Sequence, residues 1–169
     1  MIHGQLLSLS QPQTLMALTY MSIEIQPASS ADVAKIAHFQ ICMADETEGK
    51  QLDPQIVDSG VTQVLNDASK GFYLVAKCED ETVGSLLVTY EWSDWRNSSM
   101  WYIQSVYVLP EYRGRKIFSK MFEQVKQMAT QQGALYVRLY VETDNVHAQN
   151  VYQKLGMSRM PYYMYDIKL

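Results

Sequence analysis

Three cationic side chains and a glycine, in the run Glu111-Tyr112-Arg113-Gly114-Arg115-Lys116, stand where a Val-rich strand ends and a long amphipathic helix begins. A helix start leaves its first N–H groups without intrahelical acceptors and carries the positive end of the macrodipole, so cations there are mildly unfavourable unless an anion joins them. The plain reading is a solvated basic cluster. The chemical one is a seat for phosphate groups lined by Gly114, Arg115, Lys116, Ile117, Phe118 and Ser119. Further along, VETDNVHAQNVYQKLGM (residues 141–157) carries Asn145, His147 and the phenol of Tyr152. Two carboxylate-bearing segments complete the set, MADETE (43–48) and EWSDWR (91–96), which offer proton acceptors and attraction for a cation.

Periodicity supplies the elements that must position these groups. SIEIQPA reads as a short strand, and Ser29, Ser30 and Asp32 give helix-start chemistry ahead of Val33, Ile36, Ala37 and Ile41, predicting a first helix to about Met43. The polar stretch ADETEGKQLDP, broken by Gly49 and Pro54, predicts a loop before a second helix over 54–66 with proline in its first turn. Phe72 to Cys78 and Val83 to Trp92 are rich in β-branched and aromatic residues and flank EDET, a hairpin pattern. A third strand over 100–109 stops at Pro110. Ile117, Phe118, Met121, Phe122, Val125, Met128 and Ala129 form one helical stripe that ends at Gln132-Gly133. Leu135 to Val141 then predicts a strand, Ala148, Val151, Tyr152 and Leu155 a short helix closed by Gly156, and SRMPYYMYDIKL one or two final strands. Hairpin strands followed by β-α-β-α-β indicate an α/β fold, a mixed central sheet of about six to seven strands with helices on both faces.

Composition narrows the ligand class. The 169 residues are 47% hydrophobic, enough for one core, and the formal net charge of −4 disfavours nucleic acid, which demands a clustered basic surface. Small molecules are the expected partners. Cys42 and Cys78 show neither metal-ligand nor disulfide spacing, so no metal is expected and a reducing cytoplasm fits best. Residues 1–20 contain no basic leader or long apolar run, which predicts neither export nor membrane insertion, and read as an N-terminal extension to a single domain over 21–169.

Strand, phosphate-type loop, helix, strand and a second helix ending in Tyr-x-Lys-x-Gly resemble the GNAT N-acetyltransferase superfamily over roughly Ile23 to Leu169. The match is densest at SVYVLPEYRGRK and NVHAQNVYQKLGM. The resemblance implies a sheet splayed between the strands at 100–109 and 135–141, with acetyl-CoA in the gap. It also implies that the main chain of Val106, Tyr107 and Val108 pairs with the amides of the pantetheine arm, as an added strand would. Arg113 aligns with the first position of the family's Q/R-x-x-G-x-G/A loop, which places Lys116 and Phe118 where small residues normally sit. Lys116 can offset this by pairing with a phosphate oxygen, and the position of Phe118 on the apolar stripe favours an inward ring.

Transfer from a thioester to an amine raises two proton problems. An alkylammonium of pKa about 10.4 costs about 4.6 kcal/mol to deprotonate at pH 7, and the departing thiolate benefits from an acid near its sulfur. Tyr152 matches the family tyrosine that acts as general acid, and Asn145 matches an asparagine that contacts the pantetheine arm. The plain readings are a tyrosine on a buried helix face and a helix-start residue, a role that Thr143 or Asp144 could also fill. Some relatives place a glutamate two residues before the Val-Tyr-Val edge; here Gln104 cannot accept a proton. Glu91, Glu142 and Asp94 remain candidate bases, with Glu91 preferred. Glu46, Trp92 and Asp94 are candidate substrate contacts, suited to a cationic amine, and their bland reading is exposed loop or turn residues.

The combined expectation is acetyl transfer from acetyl-CoA to a primary amine of a small molecule by direct attack in a ternary complex. A covalent intermediate on Cys42 is not expected, since no histidine partner is visible beside it in the sequence pattern. The rival reading is a non-catalytic acyl-CoA-binding module, favoured by Gln104, Lys116 and Phe118. The Tyr-rich final strand could support a homodimer.

Overall fold

The computed structural model describes residues 22–169, so the expected extension over 1–20 lies outside the described residues. Packing divides the chain into two compact units, one ending at Arg138 and one spanning Leu139–Leu169.

The first unit holds a five-stranded sheet in the order β1-β2-β3-β4-β5, formed by Ile23–Pro27, Phe72–Cys78, Glu81–Ser93, Ser98–Val108 and Tyr136–Arg138. The first four strands pair antiparallel; β4 and β5 pair parallel. Helices α1 (Val33–Glu48) and α2 (Pro54–Asn66) connect β1 to β2, and α3 (Ile117–Gln131) connects β4 to β5. Ile36, Ala37 and Val61 of the first two helices pack with Tyr73 and Val75 of β2, and Leu87 of β3 leans on the same cluster. The alternate residues Leu74, Ala76, Leu86 and Val88 point to the other face and are fully buried. There α3 crosses the sheet with Met121, Phe122, Val125 and Ala129 turned inward. Helices therefore cover both faces, as the patterning requires.

Two devices anchor the sheet. Asp32, 1% exposed, accepts hydrogen bonds from the Ser29 main chain and hydroxyl and from Lys77 and Thr82 on neighbouring strands, which pins the start of α1 to the sheet. Gly71, at φ +136, sits so close to β3 that an added Cβ would lie 2.0 Å from the Val88 carbonyl oxygen. A Gly71→Ala variant is expected to lose about 3 kcal/mol or more in urea melts, because neither that backbone region nor that contact admits a side chain.

Three expectations are corrected. The described residues form five strands rather than six to seven: residues 158–169 contain no strand, and Tyr162, Tyr163, Met164, Tyr165 and Ile167 are all exposed. Alternating apolar residues set a strand only when one face is buried, and here neither is. The expected strand over 135–141 pairs only at Tyr136–Arg138. Finally, α1 runs on to Glu48, well past Met43, because polar side chains on an exposed face leave a helix intact until Gly49 closes it at φ 61.

The second unit contains α4 (Val146–Lys154), and its helix is followed by Gly156 at φ 86.

Candidate active site

The feature most relevant to chemistry is an irregularity in β4. Ser85 pairs with Tyr107 but Leu87 pairs with Gln104, so β4 carries one residue more than β3 across this step. Ser105 absorbs it at φ 52, in the left-handed region. The bulge lets Gln104 and Tyr107, three apart, share the face that looks toward α1, where strict alternation would separate them. Beyond it, the Leu109 N–H donates to Val83 on β3 (2.9 Å), and the Tyr107 carbonyl points to Gly84 on the same side. Val108, and by alternation Val106, thus turn their main-chain groups to the opposite edge. On that edge β5 pairs only with Met100, Trp101 and Tyr102. From Ile103 to Val108 the β4 edge has no strand partner among the described residues.

A 3-10 turn, Pro110–Tyr112, carries the chain from this edge to the loop at Arg113. Gly114 takes φ 78 and Lys116 φ 59, and no side chain caps the start of α3. The Ile117 side chain is buried, so that residue offers the loop its main chain alone, while Ser119 is half-buried. The Phe118 ring is half-buried and lies 6.1 Å from Phe122, leaning along the helix. Lys116 stands in a conformation that costs an L-residue about 1–2 kcal/mol. Lys116→Gly is therefore expected to raise stability by about 0.5–1 kcal/mol in thermal melts while weakening affinity for a phosphorylated ligand, since it relieves the backbone and removes a cation.

Arg113 and Glu46 were separate expectations, one for phosphate and one for substrate. The structure joins them. Arg113 Nη2 donates to Glu46 Oε2 (2.7 Å), its Nε donates to the Val108 carbonyl (2.9 Å), and its guanidinium lies 5.4 Å from the Tyr107 ring centre. The Tyr107 hydroxyl donates to the other oxygen, Glu46 Oε1 (2.7 Å). These bonds, from Tyr107 first and Arg113 next, hold the Glu46 carboxyl below its usual range, while burial and the nearby carboxylate push the Tyr107 phenol up. Glu46 thus works as a clamp between α1, β4 and the loop. Arg115 folds back similarly, donating to the Glu111 carbonyl (3.2 Å) with its guanidinium 5.0 Å from the Tyr112 ring centre.

Two of the other candidate carboxylates, Glu91 and Asp94, lie at the opposite end of the hairpin. Glu91 stands 3.9 Å from an Arg138 nitrogen on β5, and Gln104 Nε2 donates to the Thr89 hydroxyl (2.7 Å). Trp92, next along β3, points to the other face of the sheet and is 64% exposed; Asp94 accepts from the Trp95 N–H (2.8 Å) and shapes the turn. Glu46, Trp92 and Asp94 are therefore not brought to one place. Arg138 was missed in the sequence, although a lone arginine inside the apolar run Leu135 to Val141 was a usable signal. Cys42 is a second correction. It has a histidine partner, His38 Nε2 at 3.4 Å, one turn back along α1.

In the second unit, Asn145 is the N-cap of α4: its Oδ1 accepts from the Ala148 N–H (3.0 Å), so it fills the capping role open to Thr143 and Asp144. His147 and Glu142 are exposed. Tyr152 is half-buried, and burial pushes its phenol above the ordinary tyrosine value of 10.0. It keeps its proton at neutral pH. Among the described residues, no helix is long and apolar enough to cross a membrane.

Comparison with known proteins assigns the class. The profile of the Acetyltransferase (GNAT) family matches residues 36–157, and the chain belongs to that family. A Thialysine N-epsilon-acetyltransferase from Bos taurus is 36% identical over 74 residues, 44% of this chain and 43% of that protein. The chain thus matches less than half the length of such curated relatives. A crystal structure described as a possible acetyltransferase from Clostridium difficile 630 superposes with a TM-score of 0.81 at 41% identity, covering 87% of this chain and 97% of that one. A predicted acetyltransferase from Clostridium acetobutylicum, solved with acetyl-CoA, shares the fold at a TM-score of 0.72 and 14% identity, covering 86% and 96%.

Proposed function

We propose that residues 21–169 form a cytoplasmic N-acetyltransferase domain that moves the acetyl group of acetyl-CoA to a primary amine of a small molecule by direct attack in a ternary complex. The observation that carries this reading is the β4 edge from Ile103 to Val108, without a strand partner among the described residues and re-aimed by the bulge at Ser105. The edge fits a chain of two amides: the Val106 main chain and the Val108 N–H can pair with it, while the Val108 carbonyl is already engaged by Arg113. The uncapped start of α3, with Gly114, Lys116 and Ser119 beside it, fits a pyrophosphate tail. The match to thialysine acetyltransferases, though partial, supports an amine as acceptor.

Bound there, acetyl-CoA supplies an acyl carbon activated as a thioester. Glu91, directly or through water, takes a proton from the incoming ammonium so that the nitrogen lone pair can form the new bond to carbon. As the carbon–sulfur bond breaks, the Tyr152 hydroxyl would give its proton to the departing sulfur, and the second proton shed by the acetylated nitrogen, passed through water, would restore the phenol. The Tyr152 role follows the family pattern onto this sequence; Glu91 is this chain's own candidate, since Gln104 stands where some relatives carry a glutamate. By the same family pattern, Asn145 is the candidate contact for the pantetheine arm, through its side-chain amide.

Thermal melts with millimolar acetyl-CoA, followed by free-thiol release over a panel of amines, test the reading. Stabilisation together with amine-dependent thiol release is expected. Stabilisation without turnover would leave an acyl-CoA-binding module, for which Lys116 and Phe118 in place of the usual small residues speak; no stabilisation would remove the cofactor from the account.

A further inference from the structure

Strand register places a row of polar side chains on one face of the sheet, beyond the part that α1 and α2 cover. Leu87 belongs to the core under those helices, and its same-face neighbours along β3 are Thr89 and Glu91. Gln104 and Tyr102 pair with Leu87 and Thr89, and Arg138 of β5 pairs with Tyr102, so all of them share that face. On the opposite face at the same level Val88, Trp101 and Ile103 are buried, while Tyr90 is exposed. Thr89, Tyr102, Gln104 and Arg138 are half-buried and Glu91 is exposed. This platform also has a definite position along the strands. Tyr102 and Arg138 are the last paired residues before β4 and β5 part company, so the row lies at the closed end of the free edge.

Two opposite charges in the row are poorly matched to each other. Arg138 Nη1 stands 3.9 Å from Glu91 Oε1, beyond hydrogen-bond reach, and the Arg138 guanidinium rests 5.5 Å from the Tyr136 ring centre. An arginine side chain that is 27% exposed, with its guanidinium over an aromatic ring, offers a planar fork to a bidentate anion such as a carboxylate. Glu91, 49% exposed, suits an ammonium. Gln104 and Thr89, hydrogen bonded to each other, extend the polar row on the side away from the turn.

We infer that this row is the acceptor seat and that the acceptor is a small amine that also carries a carboxylate, its carboxylate on Arg138 and its amine at Glu91. Such a zwitterion exchanges one loose ion pair for two close ones. The inference rests on the acetyltransferase reading and narrows it to a substrate class.

The test compares amines that differ only by the carboxylate: glycine with methylamine, ornithine with putrescine, and lysine with cadaverine, each followed as acetyl-CoA-dependent thiol release. At least one carboxylated member is expected to exceed its counterpart in kcat/KM by about tenfold or more, the value of a charge-assisted hydrogen bond. Arg138→Gln should collapse that ratio to about twofold or less, and Arg138→Lys, which keeps the cation without the planar fork, should hold an intermediate value. If Arg138→Gln does not fold, the wild-type ratios and the lysine variant decide. Equal or better turnover of the decarboxylated amines, or a ratio that survives in the arginine variants, overturns the inference and leaves the acetyltransferase reading standing. No turnover of any amine overturns both.

Discussion

A Tyr152→Phe variant is expected to lose about 100- to 1,000-fold in kcat with little change in KM for acetyl-CoA, the usual scale for removing a positioned general acid. The substitution keeps the ring on its helix and deletes only the proton donor. Burial holds the Tyr152 phenol above its ordinary value of 10.0, so the hydroxyl is protonated throughout the neutral range. A thiolate, with a thiol pKa of about 8.5, is a weaker base than this phenolate, so the transfer goes forward only as the acetylated nitrogen sheds its second proton to restore the phenol. The pH profile gives a second readout. On the alkaline side wild-type activity should fall only in strongly alkaline buffer as the phenol ionises, and the phenylalanine variant should lose that alkaline limb. Turnover at neutral pH that matches wild type would remove Tyr152 from the acid role, whatever the profile above pH 10.0 looks like.

The parts of this molecule that sequence patterning foresaw are those specified within a few residues of themselves. Helix α2 begins where Pro54 predicts, with Asp53 Oδ1 accepting from the Gln55 N–H at 2.8 Å, and β2 ends and turns where the acidic EDET run predicts. The stripe Met121, Phe122, Val125 and Ala129 is buried as its spacing demands. The features that make a site are long-range and left no local trace. Arg113 meets Glu46 across 67 residues of sequence, so a phosphate candidate and a substrate candidate turn out to hold each other. The bulge at Ser105 carries no glycine to announce it, because pairing with β3 on one side and release from β5 on the other impose the positive φ on a serine. Arg138 gains meaning only through register, which sets it beside Tyr102 and 3.9 Å from Glu91. The missing final strands fail for a related reason. Alternation in residues 158–169 predicts a strand, but a strand exists only through its partner.

Asp32→Asn is expected to cost about 3 kcal/mol of folding stability at neutral pH, since it removes one partner of a buried pair and strands the other. Burial alone would raise the Asp32 pKa; the hydrogen bonds from Lys77, Ser29 and Thr82 outweigh it and bring the carboxyl from 3.8 down to about 2. A folded-state value below the unfolded one gives stability that is present above pH 3.8 and is lost as pH falls through about 2. The shift corresponds to about 2 kcal/mol, so the gap between wild type and variant in urea melts should be wide at pH 7 and shrink toward pH 2. Lys77 accounts for the remainder. Its ammonium, 20% exposed and hydrogen bonded to Asp32, keeps its desolvation cost after the carboxylate has gone. A second substitution, Lys77→Met, should therefore restore part of what Asp32→Asn removes, because two apolar or neutral groups replace an unpaired buried charge. A stability gap that stays constant from pH 7 to pH 2, or a double variant no more stable than Asp32→Asn alone, would mean that packing at the start of α1, and not this ion pair, ties the helix to the sheet.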